Sequence, residues 1–270
     1  MLSCFFQGGL GNQMFQISAT VALALDNNDT ACFDFNVCDL PYNGRHSINY
    51  KDNVYKNLSP SENFIVSNIY NEPAFHYTPI KYQPNTLLVG YFQSEKYFER
   101  YKKEIMELFE PSQETLNYIT QKYPILTDDD VNTVSIHVRR TDYLKLKHVH
   151  PVCTIEYYKN AIKYLAQYLD SILDNKKNVF MVFSDDILWC KENFNYLENI
   201  IYIEDEIDYI DMYIMSLCKH NIIANSSFSW WGAYLNQYRN KKVIAPSVWF
   251  GENKKDINTK DIYCDNWRKI

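Results

Sequence analysis

From Thr133 onward, short apolar runs alternate with amphipathic stretches at a spacing that few folds accommodate. The pattern predicts strands at Thr133–Val138, Val179–Ser184, Ile200–Glu204, Asn221–Asn225 and Val243–Ala245. Between them it predicts helices at Thr154–Asp174, Ile187–Phe194, Ile207–Cys218 and Phe228–Tyr238. Strands joined through helices run parallel, so this half is expected to be α/β, a parallel sheet with helices on both faces.

The first of these strands ends in a way that points to chemistry. Val134, Ile136 and Val138 alternate with Ser135 and His137, and the run then stops at Arg139 and Arg140. Ligands of open parallel sheets bind at the carboxyl ends of strands, and two guanidinium forks side by side suit a phosphate or diphosphate. Arginine is scarce here, with Arg45, Arg100, Arg239 and Arg268 the only others, so adjacency of two at a strand end carries information. The bland reading is a surface ion pair. A formal net charge of -6 and no basic stripe along a helix exclude a nucleic-acid footprint and leave any cationic site local.

Two further strand ends carry polar clusters. Val179–Ser184 runs into Asp185 and Asp186, where a carboxylate can accept from N1–H and the amino group of guanine, or can cap the next helix. Asn225-Ser226-Ser227-Phe228 leads into a helix, whose free N–H groups and hydroxyls suit a phosphate, or merely cap it. Trp230 and Trp231 read as core.

The first half is a looser version of the same plan. Leu2–Gln7 reads as a strand, Gly8 to Asn12 as a glycine loop, Gln13–Leu25 as a helix and Ala31–Phe35 as a second strand. A dinucleotide fingerprint fails at Met14, where its third glycine would fall, leaving a loop whose Gly11 backbone and Asn12 amide can approach a ligand. Asp39–Pro84 is assigned to long loops, Thr86–Phe92 to a strand, and Ser94–Phe109 and Ser112–Lys122 to helices. Tyr123-Pro124 and the turn Asp128-Asp129-Asp130 mark a boundary, giving domains 1–127 and 128–250 and a tail, 251–270, expected to pack back on the first. The seven cysteines show no CxxC spacing and are read as buried thiols of a reducing compartment, and no stretch approaches the ~20 apolar residues of a membrane span.

GGLGNQMFQ at Gly8, HVRRTDY at His137, FSDDILWC at Phe183 and NSSFSWWGAYL at Asn225 together resemble the α-1,2-fucosyltransferases of glycosyltransferase family 11, over Gly8 to about Ala245. The resemblance implies a GT-B-like fold of two facing Rossmann-like halves, with GDP-fucose held by the second and a glycan acceptor entering between them. It implies that Arg139 binds the β-phosphate with Arg140 assisting, that His137 lies near the nucleoside, and that Asp185 reads guanine. Ser226, Ser227 and Phe228 would contact the β-phosphate and the fucose, and Asn12 with Gly11 would come from the first half to the reacting centre. Membrane-anchored relatives carry an amino-terminal span that is missing from these residues, which implies a cytoplasmic enzyme.

Inverting transfer to O2 of a terminal galactoside needs stabilisation of the leaving diphosphate. An Asp-x-Asp metal pair is met only by Asp128 and Asp130, ahead of the strand and not after it. Fixed guanidinium and helix N–H donors do the same electrostatic work, so no metal and no cofactor beyond the donor substrate is expected. Asp142 is the carboxylate nearest the arginines, as general base or as their orienter, with His137 as the fallback. A metal-dependent glycosyltransferase, an NAD-dependent oxidoreductase and a non-catalytic carbohydrate-binding protein are the competing readings.

Overall fold

Strand β1 (Leu2–Cys4) leads through Gly8 and Gly9 into α1 (Leu10–Asp26), the helix beginning three residues ahead of its expected start. The turn requires Gly8: its φ is +70°, and a Cβ there would overlap the Asn12 amide. The chain then supplies β2 (Asn68–Asn71) and β3 (Thr86–Val89), and the three strands form a parallel sheet in the order β1-β3-β2. The computed structural model describes residues 1–36, 46–61, 64–171 and 176–270.

Three expectations fail in this part. Ala31–Phe35 makes only isolated bridges, Ala31 to Leu2 and Phe33 to Pro60. Phe33 and Phe35 instead pack their rings against Phe6. The third sheet position is taken by β2, inside the span assigned to loops, because the polar segment Asn-Ile-Tyr-Asn offers no apolar run to detect. Residues 94–109 also break up, into two 3-10 turns (Glu95–Tyr97, Glu99–Tyr101) and a short α2 (Lys102–Leu108).

The chain divides into two compact units, Met1–Ser112 with Ile257–Cys264, and Gln113–Asp256 with Asp265–Ile270. Helix α3 (Gln113–Lys122), placed by sequence ahead of the boundary, belongs to the second unit, because Tyr118 and Tyr123 donate to Glu206 and Lys122 pairs with it at 2.6 Å. Of the tail, Ile257–Cys264 belongs to the first unit, where Asp261 pairs with Lys96 at 2.7 Å and accepts from the Tyr77 N–H.

The second unit continues with β4 (Val131–Val138), α4 (Thr141–Lys145), α5 (Ile155–Ser171), β5 (Lys177–Ser184), α6 (Ile187–Asn193) and β6 (Ile200–Tyr202). It closes with α7 (Asp208–Leu217), β7 (His220–Ile222), α8 (Ser227–Leu235), β8 (Val243–Ala245) and β9 (Arg268–Lys269). The sheet is parallel throughout, in the order β6-β5-β4-β7-β8-β9. All eight residues of β4 are buried, as expected of a central strand covered on both faces. Val134, Ile136 and Val138 pack with Tyr158, Ala161 and Leu165 of α5, each aliphatic side chain contributing roughly 1.5–3 kcal/mol by burial.

The end expected for α5, up to Asp174, runs outside the described residues, as does Cys38; the other six cysteines are free and buried. No helix among the described residues is long and apolar enough to cross a membrane.

Candidate active site at the carboxyl ends of the second sheet

From β4 the chain moves outward to β5 and β6, then returns to place β7 on the other side of β4. The strand order therefore reverses between β4 and β7, and the loops leaving these two strands diverge. Such a switch point is where open parallel sheets leave a crevice for ligands. The arginines leave β4, Asp185 and Asp186 leave β5, and Asn225 to Phe228 leave β7. Val138 pairs in register with Ser184, which sets the arginines opposite the aspartates.

The two guanidinium groups turn to different partners. Arg139 donates through Nη2 to Asp142 at 2.9 Å, its Nε lies 3.4 Å from Asp185, and its guanidinium sits 5.7 Å from the Tyr143 ring centre. Burial works against its charge, but the Asp142 hydrogen bond and the Asp185 and Asp142 charges outweigh it and keep Arg139 firmly protonated. Arg140 turns to the β5 side: Nε donates to Asp186 at 3.0 Å, and the guanidinium stacks 4.1 Å from the Trp189 ring centre. Arg139 keeps its Nη1 donors outside these contacts, whereas Arg140 is held by its edge and its face.

Asp185, set against guanine by the sequence, is the most occupied carboxylate of the site. It accepts from Arg140 N at 2.8 Å, from Thr141 N at 3.2 Å and from Thr141 Oγ1 at 2.5 Å, in addition to facing Arg139. Oδ2 is surrounded by these groups, and Oδ1 holds the Arg140 N–H. Asp185 acts as a cap, but on the start of α4. Asp186 caps α6 by accepting from Trp189 N at 3.3 Å. Asp142 is likewise committed, Oδ2 to Arg139 and Oδ1 to the Tyr143 N–H at 3.1 Å. Both contacts fit the orienting role that the sequence offered beside that of a general base.

On the other side of the switch, Asn225 anchors the loop before α8. Its Nδ2 donates to Pro151 O and Trp249 O, Cys153 Sγ donates to its Oδ1, and its carbonyl accepts from Tyr143 Oη at 3.0 Å. That last bond ties the β4 loop to the β7 loop directly. Ser226 caps α8 in extended conformation without a side-chain cap bond, and Ser226, Ser227 and Phe228 are half-buried. Phe228 lies 5.5 Å, ring centre to ring centre, from His137. His137 is buried, and its Nδ1 has no hydrogen-bond partner among the described residues. Burial, and then the charge of Arg139, push its titration down to about 3, which favours the neutral ring.

The acidic turn lies at the other end of β4. Asp128 accepts from the Asp130 N–H at 2.9 Å, and Lys219 Nζ binds the carbonyls of Asp128 and Asp129. Eight residues of strand put about 25 Å between this turn and the arginines. Among the described residues no three His, Cys, Asp or Glu side chains gather as a metal cluster.

The model of the family described as Glycosyl transferase family 11 matches residues 1–270. The chain belongs to this family. An alpha-1,2-colitosyltransferase of Escherichia coli is 32% identical, over 97% of this chain and 96% of that protein. The O-antigen biosynthesis glycosyltransferase WbnK of Escherichia coli is 31% identical over 98% and 100%. A galactoside alpha-(1,2)-fucosyltransferase 2 of Pongo pygmaeus is 25% identical over 84% and 67%. Among solved structures, NodZ alpha-1,6-fucosyltransferase soaked with GDP-fucose matches with a TM-score of 0.52, 14% identity, and 87% of this chain against 91% of that one. POFUT1 in complex with GDP matches at 0.51, 11%, 89% and 95%. The fold of this glycosyltransferase is thus the GT-B-like α/β fold, with parallel sheets in both units.

Within this family 11 chain, sequence reasoning gathered His137, Arg139, Arg140, Asp142, Asp185, Ser226, Ser227 and Phe228 at neighbouring strand ends of the second unit. Gly11 and Asn12 lie in the first turn of α1 in the first unit. Thr141, Tyr143, Trp189 and Asn225 were overlooked as parts of the site, although each sits inside a quoted motif. Their roles are contacts between motifs, which no spacing rule reads.

Proposed function

We propose that this glycosyltransferase moves L-fucose from GDP-fucose to O2 of a terminal galactoside, with inversion and an α-1,2 linkage. One observation carries the reading: Arg139, with donors left outside its protein contacts, and the amino end of α8 flank one strand-order switch. A diphosphate bridging them meets a guanidinium on one side and helix N–H groups with Ser226 and Ser227 on the other. The acceptor oxygen attacks C1 while the C1–O bond to the β-phosphate breaks, its electron pair leaving on GDP, and the hydroxyl proton is released. The large energetic demand is the charge on that leaving group, and fixed cationic and N–H donors supply the stabilisation without a metal ion or further cofactor.

Arg139 is assigned to the β-phosphate, Ser226, Ser227 and Phe228 to the phosphate and sugar, and His137 to the apolar wall beside the nucleoside. Asp142, Asp185 and Arg140 are assigned to holding the Arg139 loop. Asn12 and Gly11 are assigned to the sugar-transfer step. A second reading concerns the sugar alone: a relative 32% identical is named for colitose, so colitose is the alternative transferred group. Incubation with GDP-fucose or the corresponding colitose donor and a panel of β-galactosides, with the linkage fixed by NMR, tests both. No product from either donor would overturn the proposal.

A further inference from the structure

The first unit contains a polar relay that the proposed reaction has not used. It starts at Glu72, just beyond β2, and ends at Asn12 in α1. The Glu72 carboxylate accepts from Tyr91 N at 2.6 Å and from Phe92 N at 3.0 Å, clamping the chain where it leaves β3. The clamp needs Gly90: its φ is +157°, and a Cβ there would stand 2.3 Å from Glu72 Cβ. Phe92 has a φ of +51°, a left-handed conformation unfavourable for an aromatic residue, and it is buried.

This bend carries Gln93 inward. Gln93 is buried, and its Nε2 donates to Asn12 Oδ1 at 2.7 Å. The Asn12 amide lies over Gly8 in the space a Cβ would fill. A strained backbone, two glycines that clear room for side-chain amide or carboxylate, and a short hydrogen bond therefore converge on one amide. With Oδ1 facing Gln93, the Nδ2 donors of Asn12 point away from it.

We infer that Gln93 is a positioning residue that fixes the orientation of the Asn12 amide, with Glu72 holding Gln93 in place through the Tyr91–Phe92 backbone. The inference rests on the proposed role of Asn12 in transfer and extends it: Asn12 acts as an N–H donor, and its neighbour dictates that. Gln93→Glu reverses the polarity of the contact, because a carboxylate facing Oδ1 drives the amide to flip and present its oxygen outward.

The test combines kinetics and NMR. In steady-state assays with GDP-fucose, Gln93→Glu should lower kcat roughly ten- to a hundred-fold with little change in KM for the donor. On an Asn12→Ala background the same change should cost almost nothing further, and Gln93→Met should lose less than Gln93→Glu. In ¹⁵N spectra the Gln93 side-chain NH₂ should carry a hydrogen-bonded, shifted proton that collapses in Asn12→Ala. Equal further loss on the Asn12→Ala background, or a Gln93→Glu enzyme keeping over half its kcat, overturns the inference. If the wild type transfers nothing from GDP-fucose, the functional proposal fails, while a shifted Gln93 proton that persists in Asn12→Ala would sink the positioning contact independently of turnover.

Discussion

Asp185 accepts the backbone N–H of Arg140 at 2.8 Å while its other oxygen faces the Arg139 guanidinium at 3.4 Å, so a single carboxylate from β5 holds both arginines of β4. The contact fixes where the cationic loop sits before any ligand arrives. Preorganised donors of this kind stabilise charge without reorganising at the moment of reaction.

Asp185→Asn should therefore weaken GDP and ADP alike, by about ten- to a hundred-fold, because an amide cannot satisfy the donors of Arg140 and Thr141 together. Calorimetry with both nucleotides checks it. A loss confined to GDP would return the reading of guanine to Asp185.

Arg139→Ala should lower kcat by ~10²-fold or more while the fold survives, since the lost group acts on leaving-group charge. Arg139→Lys should rescue poorly, because a point charge cannot meet Asp142 and Asp185 and still present a fork. An alanine variant retaining more than a tenth of kcat would remove Arg139 from the mechanism.

Arg140→Lys should behave differently, lowering stability by about 1–2 kcal/mol through the lost Trp189 stacking and Asp186 bond, with a smaller kcat effect than Arg139→Lys. Thermal unfolding beside kinetics separates the two arginines. Equal kcat losses would mean that both touch the diphosphate.

His137 gives a stability effect with a definite sign. Its titration falls from 6.5 to about 3 on folding, so below pH 6.5 the unfolded chain binds a proton that the folded one refuses. Stability from this group is complete above about 6.5 and declines as pH drops toward 3, by up to about 1.4 kcal/mol per pH unit. His137→Gln should flatten the Tm profile between pH 6.5 and 5, and parallel profiles for both proteins would refute the burial argument.

Transfer should persist in excess EDTA. Complete loss that manganese restores would show that the arginine and helix donors are insufficient alone.

Much of this architecture was legible because strand and helix periodicities differ and because motifs at strand ends share one edge of a parallel sheet. Val134, Ile136 and Val138 announced β4, and the motifs at His137, Phe183 and Asn225 announced three neighbouring loops. The failures have a common cause. Asn68–Asn71 enters the sheet through backbone pairing with β3 and not through apolar side chains, while Phe33 and Phe35, which look like strand residues, join an aromatic cluster instead.

By itself the sequence determined which residues lie at the carboxyl ends of which strands, because that follows from local pattern and the handedness of parallel crossovers. Tertiary structure alone decided what those residues touch. Val138 in register with Ser184 puts Asp185 beneath the Arg140 N–H, the reversal between β4 and β7 lets Tyr143 reach Asn225, and the bend at Phe92 brings Gln93 to Asn12. Each is a contact between residues far apart in the chain, set by strand register and backbone conformation, and neither quantity is written in the spacing of residue types.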